Sequence, residues 1–112
     1  MKRSMDLLPQ VSFSILLALS LKPRHGYEIM QQVEEDSDGK IKLGPGALYS
    51  SVKQLLAAEL IGEVLSQAEP SRRRYYKLTD KGWKRLNQEL DYFRNSVELS
   101  RSRNTQGLMG TA

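Results

Sequence analysis

The 112-residue sequence predicts a mainly α fold with one small β-hairpin and a long C-terminal helix. Three observations support this fold class. Apolar residues recur at helical spacing in the first 60 residues. Two short β-like segments, 61–67 and 74–78, flank a turn that contains Pro and Ser. Finally, heptad-spaced apolar residues follow from residue 83 onward.

The first predicted helix begins near Pro9 and contains an apolar run from Val11 to Leu21. Lys22-Pro23 ends it, since proline disfavours helix at the residue before it. The run is apolar nearly all round, which is typical of a central buried helix. A secretory signal is the alternative, but Asp6 interrupts that pattern and the run is too short to span a bilayer. Residues 1–8 are expected to form a partly ordered arm.

The second predicted helix opens at His25-Gly26-Tyr27 and runs to about Glu35. Asp36 to Gly39 is expected to form a turn. This turn resembles a fragment of a calcium loop but lacks the third acidic position and the distal glutamate, so a solvated turn is the better interpretation. Ile41 to Leu43 is predicted as a minimal strand.

The third predicted helix lies within Gly44–Leu60 and spans residues 45–59. At 100° per residue, Leu48, Val52 and Leu55 share one apolar side that should face the core. The opposite side is small and polar, with a single lysine and no acid. Such a helix can approach a large partner closely.

The hairpin combines a strand from Ile61 to Gln67, a turn, and a returning strand from Arg74 to Leu78. Period-two alternation places Tyr76 and Leu78 on one face of the second strand. Three consecutive arginines, Arg72 to Arg74, lie at or beside the tip.

The last helix is predicted from Asp80 to about Arg101, with Thr79 as its N-cap. Five apolar residues form a heptad seam along it: Trp83, Leu86, Leu90, Phe93 and Val97. About 22 residues make a helix of roughly 33 Å, longer than so small a core can cover. Half of the seam should therefore contact a second copy of the chain. We divide the chain into residues 1–79, a dimerisation helix 80–103 and a disordered tail 104–112.

This order of elements is that of a winged helix-turn-helix, which places its recognition helix in the DNA major groove. Helix 45–59 would be that helix, and the arginine wing 68–74 would reach the adjacent backbone or minor groove. The predicted DNA-binding residues are Ala47, Tyr49, Ser50, Ser51, Lys53, Gln54, Arg72, Arg73, Arg74 and Lys77.

Charge supports a polyanionic partner. Residues 1–71 carry seven Lys/Arg and nine Asp/Glu, a net charge of −2, whereas residues 72–112 carry ten and four, a net charge of +6. With no cysteine, a single histidine and scattered acids, the sequence offers no converging catalytic groups. We therefore expect no enzyme, metal site or cofactor, and assign His25 a capping or packing role.

Several motifs together resemble the PadR family of transcriptional regulators: His25–Ile29, Gly46–Tyr49, Leu60-Ile61, and Arg73–Thr79 followed by Gly82. The resemblance covers residues 10–90. It implies a cytoplasmic winged-helix repressor that dimerises through its C-terminal helix, of the short subgroup with one terminal helix. Within that resemblance, Tyr49 would touch the DNA backbone or buttress the recognition helix.

The sequence departs from the family pattern at Ala47, where Thr or Ser is usual, and at Ser50, where Pro is usual. Both positions lie on the predicted recognition face. A winged-helix module that binds proteins and has lost DNA binding is therefore the alternative function. Relatives can bind aromatic or cationic compounds between the dimer halves. Phe13, Trp83 and Phe93 are candidates to line such an effector site, although core packing explains them equally well.

Overall fold

A computed structural model of the protein describes residues 6–64 and 73–110. Within these residues the chain is mainly helical, with a small antiparallel sheet and a long C-terminal helix, as the sequence predicts. The elements are α1 (Gln10–Leu19), β1 (Arg24–His25), α2 (Gly26–Asp36), α3 (Pro45–Ala57), β2 (Ile61–Val64), β3 (Tyr75–Leu78) and α4 (Asp80–Gly110).

Helix α1 lies at the centre of the fold and packs against α2, α3, α4 and β3. Its small residues Ser12 and Ala18 are buried, which lets the neighbouring helices approach closely. Ile15 and Leu16 are completely inaccessible to solvent. The prediction of a central buried helix is confirmed, and α1 ends ahead of Pro23 as expected.

The sheet has three antiparallel strands in the order β1-β3-β2, so β3 is central. Tyr76 and Leu78 are buried while Lys77 is exposed, which confirms the predicted alternation. The predicted strand at 41–43 is wrong, because these residues pack against the core without pairing. The added strand is β1, whose Arg24 and His25 pair with β3. Two residues are too few to give a period-two pattern.

Helix α3 ends two residues earlier than predicted, through a Schellman turn. The N–H of Leu60 donates to the carbonyl of Leu55 at 3.0 Å, and that of Glu59 donates to Leu56 at 2.9 Å. Glu59 takes the left-handed conformation, with φ of 64°. The chain then turns directly into β2, so α3 is fixed at its C-terminal end.

The start of α4 is attached to this same turn. Thr79 caps α4 as predicted: its Oγ1 accepts the N–H of Gly82 at 2.9 Å and donates to the carbonyl of Glu59 at 2.7 Å. A methyl group at Gly82 would overlap the carbonyl oxygen of Leu60 and lie 3.0 Å from its carbon. Gly82 therefore permits the close approach of α4 to the end of α3.

Helix α4 continues to Gly110, so the predicted disordered tail is wrong over residues 104–110. An established helix extends readily, because each added residue contributes one hydrogen bond without a new nucleation cost. Residues such as Asn104 and Thr105 each cost less than about 1 kcal/mol in a helix. In the described part of the chain, no helix is both long and apolar enough to cross a membrane.

Candidate nucleic-acid interface

The outer face of α3 is exposed along its length. Leu48, Val52 and Leu55 are buried in the core, as the helical period predicts. The opposite residues are Ala47, Ser50, Lys53 and Gln54, all exposed, with Ser51 half-buried at the flank. The structure thus brings the five predicted base-reading residues onto one accessible surface.

The N-terminus of α3 has no capping side chain. Its first turn contains no acid, and its N-cap residue, Gly44, offers no side chain to the free N–H groups. The partial positive charge of the helix end is therefore not neutralised locally. A Cβ atom at Gly44 or Gly46 would have no neighbour within 4 Å, so internal packing does not require either glycine.

Tyr49 lies at the flank of α3 and braces it against the start of α2. A methyl group at Gly26 would overlap the Tyr49 hydroxyl and lie 2.8 Å from ring carbon Cζ. The Tyr49 side chain nevertheless remains about half exposed. It can therefore fix the orientation of α3 and still present an edge to a partner.

The base of the wing is attached to α2 through His25. Its Nδ1 accepts the N–H of Glu28, whose carboxylate accepts the N–H of His25, which completes a capping box. Nη1 of Arg73 lies 3.1 Å from the imidazole Nε2, and the imidazole packs edge-on against Tyr75. The capping role of His25 is confirmed. Its contact with Arg73 was not predicted, because it depends on the pairing of β1 with β3.

The second described arginine of the wing forms an ion pair across the hairpin. Nε of Arg74 lies 3.3 Å from Oε2 of Glu63, and both side chains are largely exposed. Such a pair contributes little to stability, so Arg74 can exchange Glu63 for another anion. Lys77 is exposed on β3, which begins directly after Arg74. Arg72 and the wing residues 68–71 lie outside the described residues.

Burial raises the pKa of the Tyr76 phenol above its usual range, and the nearby Glu63 carboxylate raises it further. Tyr76 therefore remains neutral at physiological pH and packs in the core as an uncharged side chain.

The wing and α3 meet at one shallow cleft of about 150 Å³. It is lined by His25, Gly26, Tyr27, Tyr49, Arg73 and Arg74. Two arginines of the wing thus lie beside the flank of α3, next to the N-terminus of α2. Among the described residues, no group of three or more His, Asp or Glu could hold a metal ion.

The heptad seam of α4 divides into two parts. Leu86 is only 1% exposed, because it packs in the core of its own chain, so it has almost no surface to offer a partner. Leu90 is half-buried against the same core. Trp83, Phe93 and Val97 are 43%, 42% and 50% exposed. The expectation that Leu86 contacts a partner therefore needs correction, because Leu86 is covered by its own chain, in which α4 packs against α1 and β3.

The proposed effector residues do not converge within one chain. Phe13 packs edge-on against Phe93 with ring centroids 5.2 Å apart. Trp83 precedes Phe93 by ten residues, which is about 15 Å along a helix. A site that contains all three aromatic rings would therefore need a second chain.

Comparison with known proteins agrees with this architecture. Residues 15–88 match the transcriptional regulator PadR-like family. A PadR family transcription regulator from Clostridium difficile R20291 is 28% identical, with a TM-score of 0.73 over 84% of this chain and 97% of that one. A transcriptional regulator from Clostridium thermocellum is 25% identical, with a TM-score of 0.69 over 82% and 87% of the two chains. A protein of Lysinibacillus sphaericus is 28% identical over 76% of this chain and 89% of its own length. The chain belongs to the PadR-like family of transcriptional regulators.

Proposed function

We propose that this chain is a homodimeric repressor that recognises a specific, roughly palindromic site in double-stranded DNA. The observation that carries the proposal is the position of two wing arginines beside the exposed, acid-free face of α3. Such a surface offers polar groups for base edges next to cations for phosphates. In a bacterial or archaeal cytoplasm, occupation of a promoter site by this dimer would block transcription.

Sequence preference is assigned to the outer face of α3. Lys53 and Gln54 have long side chains whose donors can reach guanine and adenine edges in the major groove. Ser50 and Ser51 can donate or accept, and Ala47 can contact a thymine methyl group. Because Ala47 and Ser50 depart from the family pattern, the operator of this protein should differ from those of its relatives.

Affinity is assigned mainly to the wing. Arg73 and Arg74 line the cleft beside Tyr49, where a backbone phosphate would meet both guanidinium groups. Lys77 is exposed on β3. Arg72 would extend the same positive surface. The bare N-terminus of α3 adds N–H groups that favour a phosphate.

Dimerisation is assigned to the exposed apolar side chains of α4. Trp83, Phe93 and Val97 are large exposed apolar side chains on or beside the face that packs on the core. A second α4 that covers them would place two recognition helices in successive major grooves, about 34 Å apart. Any aromatic or cationic effector would bind between the two halves.

The decisive test is the selection of bound duplexes from a random DNA library, followed by gel-shift measurement with the selected sequence. We expect a two-fold symmetric site with two conserved half-sites. If no sequence is enriched and no duplex is shifted at micromolar protein concentration, the DNA-binding proposal is wrong. The alternative function, a module that binds other proteins, is then favoured.

We expect the double substitution of Arg74→Ala and Lys77→Ala to reduce the salt dependence of DNA binding. Each lost phosphate contact should lower the slope of log K against log salt concentration by about 0.9, because fewer counterions are released. The slope is measured by fluorescence anisotropy between low and physiological salt. Arg101→Ala is the control, since it removes one exposed charge far along α4. An unchanged slope in the double variant would remove the wing from the interface.

We expect Gly46→Ala to stabilise the fold and weaken DNA binding. Alanine is favoured over glycine within a helix by about 1 kcal/mol, and the added methyl group meets nothing within the chain. On DNA, the same methyl group would separate the helix N-terminus from a phosphate. Urea unfolding and anisotropy measure the two effects on one sample. Equal affinity for both proteins would show that the backbone at Gly46 does not approach DNA.

A further inference from the structure

A buried ion pair holds the N-terminal arm against α4. Glu89 is only 3% exposed. Its carboxylate accepts a hydrogen bond from the backbone N–H of Leu8 at 3.3 Å and another from the Nε–H of Arg85 at 3.1 Å. Arg85 also donates from Nη2 to the carbonyl oxygen of Asp6 at 2.5 Å. We call these four residues, Asp6, Leu8, Arg85 and Glu89, the arm clasp.

The arm clasp is not expected to contribute much to the stability of the fold. Burial of a carboxylate costs several kcal/mol, and its hydrogen bonds and ion pairs offset this cost only when their geometry is good. An apolar pair of similar volume is often as stable or more so. What directed hydrogen bonds add is a fixed geometry. The arm clasp ties the segment that leads into α1 to one point on α4.

The location of the arm clasp makes that geometry important. Beyond Glu89, Leu90 packs against the core of its own domain and Phe93 packs against Phe13. The helix then continues for the 17 residues from Arg94 to Gly110, which is about 26 Å. A tilt of about 7° at the arm clasp would move the far end by about 3 Å, close to the ~3.4 Å rise of one base pair.

We propose that Arg85 and Glu89 are positioning residues that set the angle between the winged-helix domain and α4, and thereby the half-site spacing that the dimer accepts. The inference rests on the proposed function, because spacing has meaning only for a dimer on paired half-sites. Neither residue touches DNA. Both act through the arm, α1 and the direction of α4.

The test uses the full chain with Arg85→Met and Glu89→Met together. This apolar pair fills the buried space but cannot hold Leu8 N–H or the carbonyl of Asp6, so the fold is kept and the arm is released. Affinity is measured on duplexes that carry the two selected half-sites with the spacer shortened or lengthened by one or two base pairs. The wild-type protein should lose about tenfold or more per base pair of change, and the variant should bind all spacers within about threefold.

Two further variants make the result specific. Lys84→Met with Gln88→Met places the same side chains four residues apart on the exposed face of α4, and should keep the wild-type spacing preference. Glu89→Gln keeps the side-chain volume and one acceptor oxygen, and should widen the preference partially. Should the apolar pair weaken binding equally at every spacing, the arm clasp is only structural and the inference is wrong. Should the wild-type protein bind no paired half-sites, the dimeric function itself is wrong and the inference falls with it.

Discussion

Gly82→Ala should reduce the free energy of unfolding by about 4 kcal/mol, a large part of the 5–15 kcal/mol typical of a domain. The new methyl group would overlap the carbonyl oxygen of Leu60, and neither group is the end of a flexible side chain. Relief requires α4 to move away from the end of α3, which breaks the hydrogen bonds of Thr79. Urea unfolding followed by the fluorescence of Trp83, the only tryptophan, measures the loss.

The matched control is Gly62→Ala, in strand β2. Its Cβ would meet the nearest atom, Cγ2 of Thr79, at an ordinary 3.7 Å. We expect a change below about 1 kcal/mol there. Equal effects at the two positions would contradict this prediction, because helix propensity favours alanine at Gly82 and the loss there is assigned to the approach of α4 to Leu60.

Local patterns were enough to predict much of this fold. The helical period of Leu48, Val52 and Leu55 identified the inner face of α3, and the structure buries all three. In the same way, the period-two alternation of β3 predicted that Tyr76 lies on the buried face and Lys77 on the exposed face. These predictions succeeded because each depends on residues within two turns of helix or one strand, where spacing alone determines the face.

Several of the features that were missed join distant parts of the chain. Strand β1 exists only through its pairing with β3, in which Arg24 pairs with Tyr76 and His25 pairs with Tyr75, about 50 positions along the chain. The same pairing brings His25 to Arg73. Leu86 has the spacing of a dimer seam, but the position of α1 decides which half of that seam remains uncovered. No short-range pattern carries this information.

The three parts of the interface have separate physical roles. The outer face of α3 has donors and acceptors but one charge, so it suits discrimination between base pairs. The wing carries charge that is exposed and weakly paired, so it suits phosphate contact. In the proposed dimer, helix α4 would fix the relative position of the two copies. A variant in one part should therefore change one observable: sequence preference, salt dependence or spacing.

Val97→Asp should convert the proposed dimer into a monomer and lower DNA affinity by about 10²-fold or more, because the second half-site then no longer binds at high effective concentration. Val97 is half exposed and lies one helical turn beyond Phe93, which packs against Phe13. A buried aspartate in a dimer seam would lose its hydration without a partner charge. Leu90 is less suitable for this test, because it also packs against its own core. Sedimentation should give the monomer mass of 12.7 kDa.

Leu99→Asp separates the proposed seam from the rest of α4. Leu99 is also large, apolar and 42% exposed, but at 100° per residue it lies about 160° around the helix from Val97. Both variants introduce aspartate into the same helix, and Leu99→Asp loses at least as much helix propensity as Val97→Asp, so Leu99→Asp controls for that effect. If Val97→Asp dissociates the dimer and Leu99→Asp does not, the partner covers the face that continues from the core. The reverse result would place the dimer on the opposite face of α4, and would change the direction in which the two recognition helices point.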